Sequence, residues 1–322
     1  MQSGPLEIIK LPSVLDIVKE VKNRKGRKRE MKQRKKDAIA YVFLIPLLVL
    51  FAVFLGYSFY FLIKESFYKV NISFREPEFF GLRNYKNVIS DKQFWRSLLN
   101  TFLLSSANIF FGLTVGYLIA VFLKLKIKGR RFFHAVFFIP SMLPIALMAA
   151  IFNSMLQYKE GVINQILRAV GLGGLAQRWL ANPDLAMMSV MSVSFFLIGI
   201  PIMYYTADLT TIDASVMEAA VVDGAKLRHV VTMILYPMLK STHKTIILSM
   251  LLGGFREMDR VFLMTDGGPG GVTEVTGTYI YRASRAPGAN IGKVCAASVL
   301  VLLLSFVVGA VQLQMTKKKN KG

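Results

Sequence analysis

The chain has 322 residues, of which 54% are hydrophobic, and a mean hydropathy of +0.47. Its uncharged runs are long enough to cross a bilayer, which takes about 20 helical residues, and they exclude an ordinary soluble enzyme. The net charge of +21 is concentrated in short stretches beside these runs, as in the flanks of membrane helices. A nucleic-acid-binding protein would instead carry its charge on a folded basic face, so nucleic acid is excluded as a partner.

The cysteine and histidine content indicates neither a disulfide framework nor a metal site. The single cysteine, Cys295, lies in an apolar run, which predicts a packing role, and His134, His229 and His243 are scattered along the chain. A membrane-embedded enzyme would need a His, Cys or carboxylate cluster near the bilayer edge, and the sequence offers none. We therefore expect no catalytic residue, no metal and no cofactor in this chain.

The first segment is a basic tail, residues 1–37. Twelve Lys and Arg residues fall between Lys10 and Lys36, and we expect this stretch to be solvated, to set the topology and to contact anionic membrane lipid. Apolar residues at roughly helical spacing predict a short interfacial helix within Leu6–Val21. The apolar run that follows is too long for a signal peptide and is expected to remain as a membrane anchor.

The gaps between charged residues predict an all-α, polytopic membrane protein with about six spans in a domain of residues 38–322. The spans are about 38–63, 98–123, 132–157, 185–207, 245–265 and 294–316. Prolines 140, 144 and 201 fall inside the third and fourth spans, where neighbouring helices can satisfy the backbone groups that a proline leaves free. We therefore expect these prolines to be tolerated within the spans.

The fifth span is the weakest of the six, because Arg256, Glu257, Asp259 and Arg260 interrupt its apolar run. By hydropathy alone it is a half-span or a re-entrant segment. A full crossing places both termini and the 213–244 loop on the side with most of the positive charge. That side is therefore predicted to be cytoplasmic.

The 213–244 loop is a polar, helix-prone segment between two strongly apolar ones, which favours a partner protein as its ligand. It contains Glu218-Ala-Ala-Val-Val-Asp-Gly-Ala225 and ends near Pro237. We expect two short helices with Gly224 at the bend, because glycine readily adopts a positive φ. Asp213 and Ser215 are candidate N-caps for the first helix.

This pattern resembles the EAA loop of bacterial ABC importer permeases: Glu-Ala-Ala, three residues, Gly, nine residues, Ile, one residue and Leu-Pro. Gly224, Ile234 and Pro237 fall on that spacing, whereas Tyr236 replaces the usual Leu. A soluble Glu-Ala-Ala helix is the alternative interpretation.

Other segments extend the resemblance to the maltose-type, type I carbohydrate permeases over nearly the whole chain after residue 38. Gly81-Leu-Arg-Asn-Tyr-Lys-Asn-Val-Ile, with Asp91 and Phe94-Trp95, is similar to the segment before their second helix. Met264-Thr-Asp-Gly-Gly-Pro269 is similar to their Thr-Gly-Gly-Gly-Pro turn, with Asp266 in the first Gly position. Tyr279-Ile-Tyr281 fits the approach to their last helix.

The resemblance implies a multi-pass subunit of the bacterial plasma membrane with a set of partners. These are a second, paralogous permease, two cytoplasmic ABC ATPases and an extracellular or periplasmic solute-binding protein, with a sugar or oligosaccharide as cargo. ATP and Mg would be used by the ATPases, because this chain lacks the Gly-x-x-x-x-Gly-Lys-Ser/Thr phosphate loop. The chain itself is then no enzyme.

The resemblance also implies that the loop docks an ATPase, whose rocking would tilt the attached spans and give alternating access. Polar contacts would come from Glu218 and Asp223, and close approach from small residues. The implied docking set is Glu218, Ala219, Ala220, Asp223, Gly224, Ala225 and Pro237. Alternatively, the alanines at 219, 220 and 225 only pack the loop on its own helices.

The charged quartet of the fifth span is a candidate substrate site. On one continuous helix, Arg256, Glu257, Asp259 and Arg260 occupy an arc of about 160° with pairing at i, i+3 and i, i+4. Charges at membrane depth should face an aqueous cavity or each other, so the quartet either lines the pathway or stabilises the bundle.

The resemblance to maltose-type permeases implies further sugar-facing positions. Glu257 falls where that family presents a polar amide, and Gly199 and Ile202 fall on other positions that face the sugar. Because arginine pairs with carboxylates, Arg256 and Arg260 suggest an oligosaccharide that could carry an acidic sugar.

Two other transport functions remain as alternatives to carbohydrate import. An importer permease for another small solute is disfavoured by the length, the 64–97 segment and the Thr-Asp-Gly-Gly-Pro turn. An ion-coupled secondary transporter would show internal repeats with paired broken helices and midplane carboxylates, and no such repeat is visible.

Overall fold

The structure, a computed structural model, describes residues 41–74, 76–124 and 129–318. The basic tail of residues 1–37, with its expected interfacial helix, therefore lies outside the described residues. Contacts between Cα atoms divide the chain into two compact units, Met1–Phe61 and Leu62–Gly322. All sites described below belong to the second unit.

The described part of the chain is helical apart from one short hairpin. The helices are α1 (Tyr41–Glu65), α2 (Arg83–Ile89), α3 (Lys92–Lys124), α4 (Arg130–Met142), α5 (Ile145–Met155), α6 (Val162–Ala169), α7 (Pro183–Thr211), α8 (Ala214–Val222), α9 (227–238), α10 (Lys240–Gly254), α11 (Asp259–Thr265), α12 (Thr276–Arg285) and α13 (Ile291–Lys318). Strands β1 (Tyr68–Lys69) and β2 (Glu78–Phe79) pair antiparallel, with Tyr68 opposite Phe79. The all-α fold class is confirmed.

Four helices are long and apolar enough to cross a bilayer: α1, α3, α7 and α13. They lie over the first, second, fourth and sixth predicted spans. Helices α4 and α5 form a bent pair that could count as a fifth crossing. The described residues thus contain four or five candidate spans, and the protein is embedded in a membrane.

The third predicted span is not one straight helix, because α4 and α5 meet at 99°. Leu143 has φ −72° and ψ 142°, and Pro144 has φ −53° and ψ 137°. A residue before proline avoids the helical region, since its own backbone would clash with the proline ring. Pro140 is accommodated inside α4, whereas the helix breaks at Pro144, and the crossing predicted for 132–157 stays a prediction.

The fifth predicted span is also interrupted. Helix α10 ends at Gly254 and α11 begins at Asp259, and neither reaches the length of a membrane crossing. Met258 adopts φ −140° and ψ −51°, outside helical geometry. The break falls inside the charged quartet, so 245–265 is not one continuous helix, and the full crossing predicted for it stays a prediction.

Three apolar clusters hold the second unit together. One joins the end of α3 to α7, α9 and α10 around Tyr117, Tyr205 and Ile246. A second joins α3, α5, α7 and α11, and a third joins α2, α3, α12 and α13. Cys295 is buried in a smaller cluster with Val70, which agrees with the packing role expected from the sequence.

Candidate coupling loop and translocation residues

The first helix of the 213–244 loop begins at an aspartate N-cap. The Asp213 carboxylate accepts a hydrogen bond from the backbone N–H of Ser215 at 3.0 Å. This bond favours the charged form and holds the pKa of Asp213 below its ordinary value. Of the two candidate N-caps, Asp213 has the role and Ser215 is its donor.

The end of α8 depends on glycine. Gly224 has φ +80°, its N–H donates to the carbonyl of Val221 at 3.0 Å, and the Ala225 N–H donates to the carbonyl of Ala220 at 2.9 Å. This pair of bonds is the Schellman arrangement, in which the residue after the C-cap is left-handed. A Cβ at Gly224 would meet nothing within 4 Å, so the backbone angle, and not space, requires glycine.

The loop's small residues divide between an exposed face and a packed face. Glu218, Ala219 and Asp223 are exposed, and so is Val222 at 86%. We call these four residues the docking face. The remaining alanines, 220 and 225, pack against the apolar cluster around Tyr117. The packing alternative therefore fits Ala220 and Ala225 but not Ala219.

The second half of the loop turns back toward the membrane through α9. Its middle, Val230–Leu235, is a π-helical turn, and Pro237 follows it half-buried. Proline has no N–H for the carbonyl of Met233, four residues earlier, so an α-helical bond is missing at this point. After Leu239 the chain enters α10.

The charged quartet does not form the arc expected from one continuous helix. Glu257 lies in the break, and Asp259 and Arg260 belong to the next helix, α11. Among the described residues the quartet contains one ion pair, from Arg260 to Glu257 at 2.9 Å. The pairing of Arg256 with Asp259 that i, i+3 spacing predicts is absent among the described residues, because residues 255–258 are not helical.

Arg260 is completely buried, with 0% exposure. Its guanidinium donates to Glu257, to Ser194 Oγ at 3.0 Å and to Asn108 Oδ1 at 3.4 Å. Its Nε has no hydrogen-bond partner among the described residues. A buried charge needs such partners to compensate for lost hydration. Arg260 therefore ties α11 to α3 and α7 from inside the protein and does not line an open surface.

The other candidate pathway residues occupy different environments. Arg256 and Asp259 are exposed, and neither forms an ion pair within the described ranges. Ile202 is 1% exposed and belongs to the cluster around Tyr117. Gly199 is buried where α7 crosses α4: its N–H donates to Ser141 Oγ at 2.7 Å, and a Cβ would lie 2.5 Å from that side chain.

A polar network at the start of α3 could not be derived from the sequence. Asp91 accepts hydrogen bonds from the Tyr279 hydroxyl at 2.8 Å and from Lys293 at 2.9 Å, and it caps α3 through the N–H of Gln93. Partial burial acts to raise the pKa of Asp91, but these bonds outweigh it, and the pKa lies below its ordinary value. The network joins α3, α12 and α13, whose residues lie far apart in sequence.

The sequence matches the model of the family described as binding-protein-dependent transport system inner membrane component, over residues 112–321. The probable ABC transporter permease protein YurN of Bacillus subtilis is 29% identical over 282 residues, 87% of this chain and 96% of the relative. The trehalose/maltose transport system permease protein MalF of Thermococcus litoralis is 27% identical and covers 84% of this chain and 91% of the relative.

A solved structure shares the fold. It is the crystal structure of a bacterial ABC transporter involved in the import of the acidic polysaccharide alginate. One of its chains matches with a TM-score of 0.76 and 24% identity, over 90% of this chain and 99% of that one. Because the family model covers more than half of the sequence, this chain belongs to the family of binding-protein-dependent transport system inner membrane components.

Proposed function

We propose that this chain is a transmembrane subunit of an ATP-driven importer of sugars or oligosaccharides. The observation that carries the proposal is the exposed docking face on a rigidly capped helix, in a chain of the binding-protein-dependent family. One relative, matched over 91% of its length, is named as a trehalose/maltose transport permease, which supports a saccharide as the cargo. The subunit forms the translocation pathway and carries no catalytic activity.

The complete transporter contains four further subunits. They are a paralogous permease, two ATPases that use ATP and Mg, and a solute-binding protein outside the membrane. The family description names dependence on a binding protein. The basic flanks of the spans support a plasma-membrane location with both termini and the 213–244 loop in the cytoplasm.

The docking face binds the ATPase through both apolar and charged contacts. Val222 is 86% exposed, and burying its side chain against an ATPase removes apolar area from water. Glu218 and Asp223 lie beside it without an ion pair among the described residues. An apolar centre with a charged rim is the usual composition of a protein interface.

Reconstitution in vesicles tests the function. The chain is assembled with its paralogous permease, the ATPases and the binding protein, and saccharide uptake is measured with ATP or with an ion gradient alone. Uptake that needs ATP and the binding protein is expected, and the permease purified alone should hydrolyse no ATP. Uptake driven by the ion gradient without ATP would assign the chain to secondary transporters.

A charge reversal within the docking face tests its role. Glu218→Lys is expected to lower uptake at least about fivefold, because a repulsive contact replaces an attractive one across the interface. Glu160→Lys, at an exposed position with no ion pair to any described residue, is the matched control. Normal uptake by Glu218→Lys in a fully assembled transporter would remove Glu218 from the interface.

An acidic sugar is the narrower proposal for the cargo, and it now rests on Arg256. Arg260 is neutralised by Glu257 inside the protein, whereas Arg256 is exposed and without an ion pair among the described residues. Arg256→Gln should reduce uptake of an acidic oligosaccharide more than uptake of a neutral one of equal length. Equal reduction of both would make Arg256 irrelevant to the charge of the cargo.

A further inference from the structure

A cluster of three tyrosines and one histidine, buried except for the 40% exposed Tyr236, joins the 213–244 loop to two membrane helices. Tyr117 lies in α3, Tyr205 in α7, Tyr236 in α9 and His243 in α10. Tyr117, Tyr205 and His243 are buried. The ring centroids of Tyr236 and His243 are 4.2 Å apart. Those of Tyr117 and Tyr205, of Tyr117 and Tyr236, and of Tyr205 and His243 are 5.1 to 5.4 Å apart. We call this cluster the tyrosine–histidine joint.

The hydrogen bonds of His243 determine which nitrogen carries the proton. Nε2 lies 2.9 Å from the carbonyl oxygen of Tyr236, which can only accept, so Nε2 donates. In a neutral imidazole Nδ1 is then an acceptor, and the Tyr205 hydroxyl, 2.7 Å away, donates to it. One side chain thus bonds simultaneously to α7 and to the backbone of α9.

Two π-helical turns meet at the joint. Tyr117 directly follows the turn Gly112–Gly116, and Tyr236 directly follows Val230–Leu235. The Tyr117 hydroxyl donates to the carbonyl of Val231, inside the second turn, at 2.6 Å. A π-helical turn is rare and is frequently found at functional positions. Here the side chain that follows one π-helical turn holds the other in place.

Both ends of the loop are fastened near the joint. Lys124 donates to the carbonyls of Leu209 at 2.6 Å and Ile212 at 3.3 Å, at the end of α7. Ile212 is the last residue before the loop's N-cap. At the other end, Thr242 donates to the carboxylate of Asp208, again in α7. The loop can therefore move little relative to α7 unless these partly buried polar bonds break.

We propose that His243 is a positioning residue that makes the joint rigid, so that displacement of the 213–244 loop moves α3 and α7 together. The inference rests on the proposed function, in which an ATPase displaces this loop. Close-packed rings transmit a displacement because their contacts do not deform continuously. The two bonds of His243 add direction, since the bond to Tyr205 is buried and the bond to Tyr236 is partly buried.

The experiment measures saccharide taken up per ATP hydrolysed by the complete transporter in vesicles. His243→Phe keeps a stacked ring and removes both hydrogen bonds, and Tyr205→Phe removes one. We expect each variant to hydrolyse ATP but to lower the ratio about fivefold, within the range for residues that carry coupling between sites. His243→Gln, which retains a donor and an acceptor, should recover most of the ratio.

Tyr236→Phe is the matched control, because the Tyr236 hydroxyl makes no hydrogen bond to any described residue while its ring belongs to the same cluster. It should leave the ratio unchanged. In the double variant of His243→Phe and Tyr205→Phe, the ratio should be no lower than in the worse single variant, because both remove the same bond.

Two results would overturn the inference. One is an unchanged ratio in His243→Phe and Tyr205→Phe with a lowered melting temperature, which makes the joint a stabilising contact only. The other is a multiplicative loss in the double variant. If Glu218→Lys lowers uptake while the His243 and Tyr205 variants keep a normal ratio, this inference fails and the proposed function stands. If uptake needs no ATP, the proposed function itself fails.

Discussion

The 213–244 loop and the charged segment 256–260 both place polar residues between apolar stretches, but they use them in opposite ways. The loop exposes its charges, and local bonds from Asp213 and around Gly224 determine its shape. The charged segment buries Arg260, which pairs with Glu257 three residues away and also hydrogen-bonds to distant residues of α3 and α7. A charged residue in an apolar sequence can thus belong to a partner's binding surface or to a buried polar contact between helices. The two differ in how far along the chain the hydrogen-bond partners lie.

The largest expected effect is at the ion pair of Arg260 with Glu257. Arg260→Met leaves the Glu257 carboxylate, whose side chain is 14% exposed, without its partner, which should lower the free energy of unfolding by about 3 kcal/mol. Arg256→Met, on the exposed side of the same segment, should change it by less than about 0.5 kcal/mol. Unfolding of the purified protein in detergent, followed by heat or denaturant, measures both.

Combining Arg260→Met with Glu257→Met should recover most of the lost stability, because an apolar pair replaces a buried ion pair at little net cost. Equal stability of the two single arginine variants would mean that burial of Arg260 has no energetic consequence. It would also remove the contrast between the segment and the loop.

The next effect concerns the bend of the loop. Gly224→Val places a β-branched residue at φ +80°, which costs about 1 to 3 kcal/mol locally and should unwind the end of α8. Saccharide uptake in vesicles should then fall to background, while the amount of protein in the membrane stays the same. Gly224→Asn is the control, because asparagine tolerates this backbone region. Equal uptake by both variants would show that saccharide uptake does not depend on the left-handed backbone at Gly224.

The smallest effect is at the cap, and it depends on pH. Because the pKa of Asp213 is lowered in the folded protein, its cap is fully effective above the ordinary value of 3.8 and is lost as the pH falls through the lowered pKa. Hydrogen exchange of the α8 amides should accelerate in that range in the native protein. Asp213→Asn, which caps without titrating, should show no such acceleration.

Features that depend on neighbours in sequence were the ones that could be predicted. Gly224 and Asp213 act within a few residues of themselves, and the sequence placed both correctly. Pro144 is a local signal as well: the restriction on the residue before proline favours a break there, although the tolerance of prolines in membrane bundles suggested otherwise.

The rest of the candidate site could not be read from the sequence, because its contacts join distant positions. Tyr205 and His243 are 38 residues apart, and Tyr117 and Val231 are 114 apart. The spacing of single tyrosines and histidines along the sequence does not indicate that these side chains are in contact. The arc drawn for Arg256 to Arg260 assumed an unbroken helix, and the break at residues 255–258 depends on how α11 packs against α5.

The close contact where α4 crosses α7 restricts which amino-acid substitutions this chain can accept. At Gly199 the two backbones approach so closely that a methyl group would overlap Ser141, and the serine hydroxyl occupies the space as an acceptor for the glycine amide. Gly199 therefore cannot gain a methyl group while Ser141 keeps its side chain. Alanine at 199 becomes acceptable only if the residue at 141 shrinks, so related sequences should exchange these two residues as a pair.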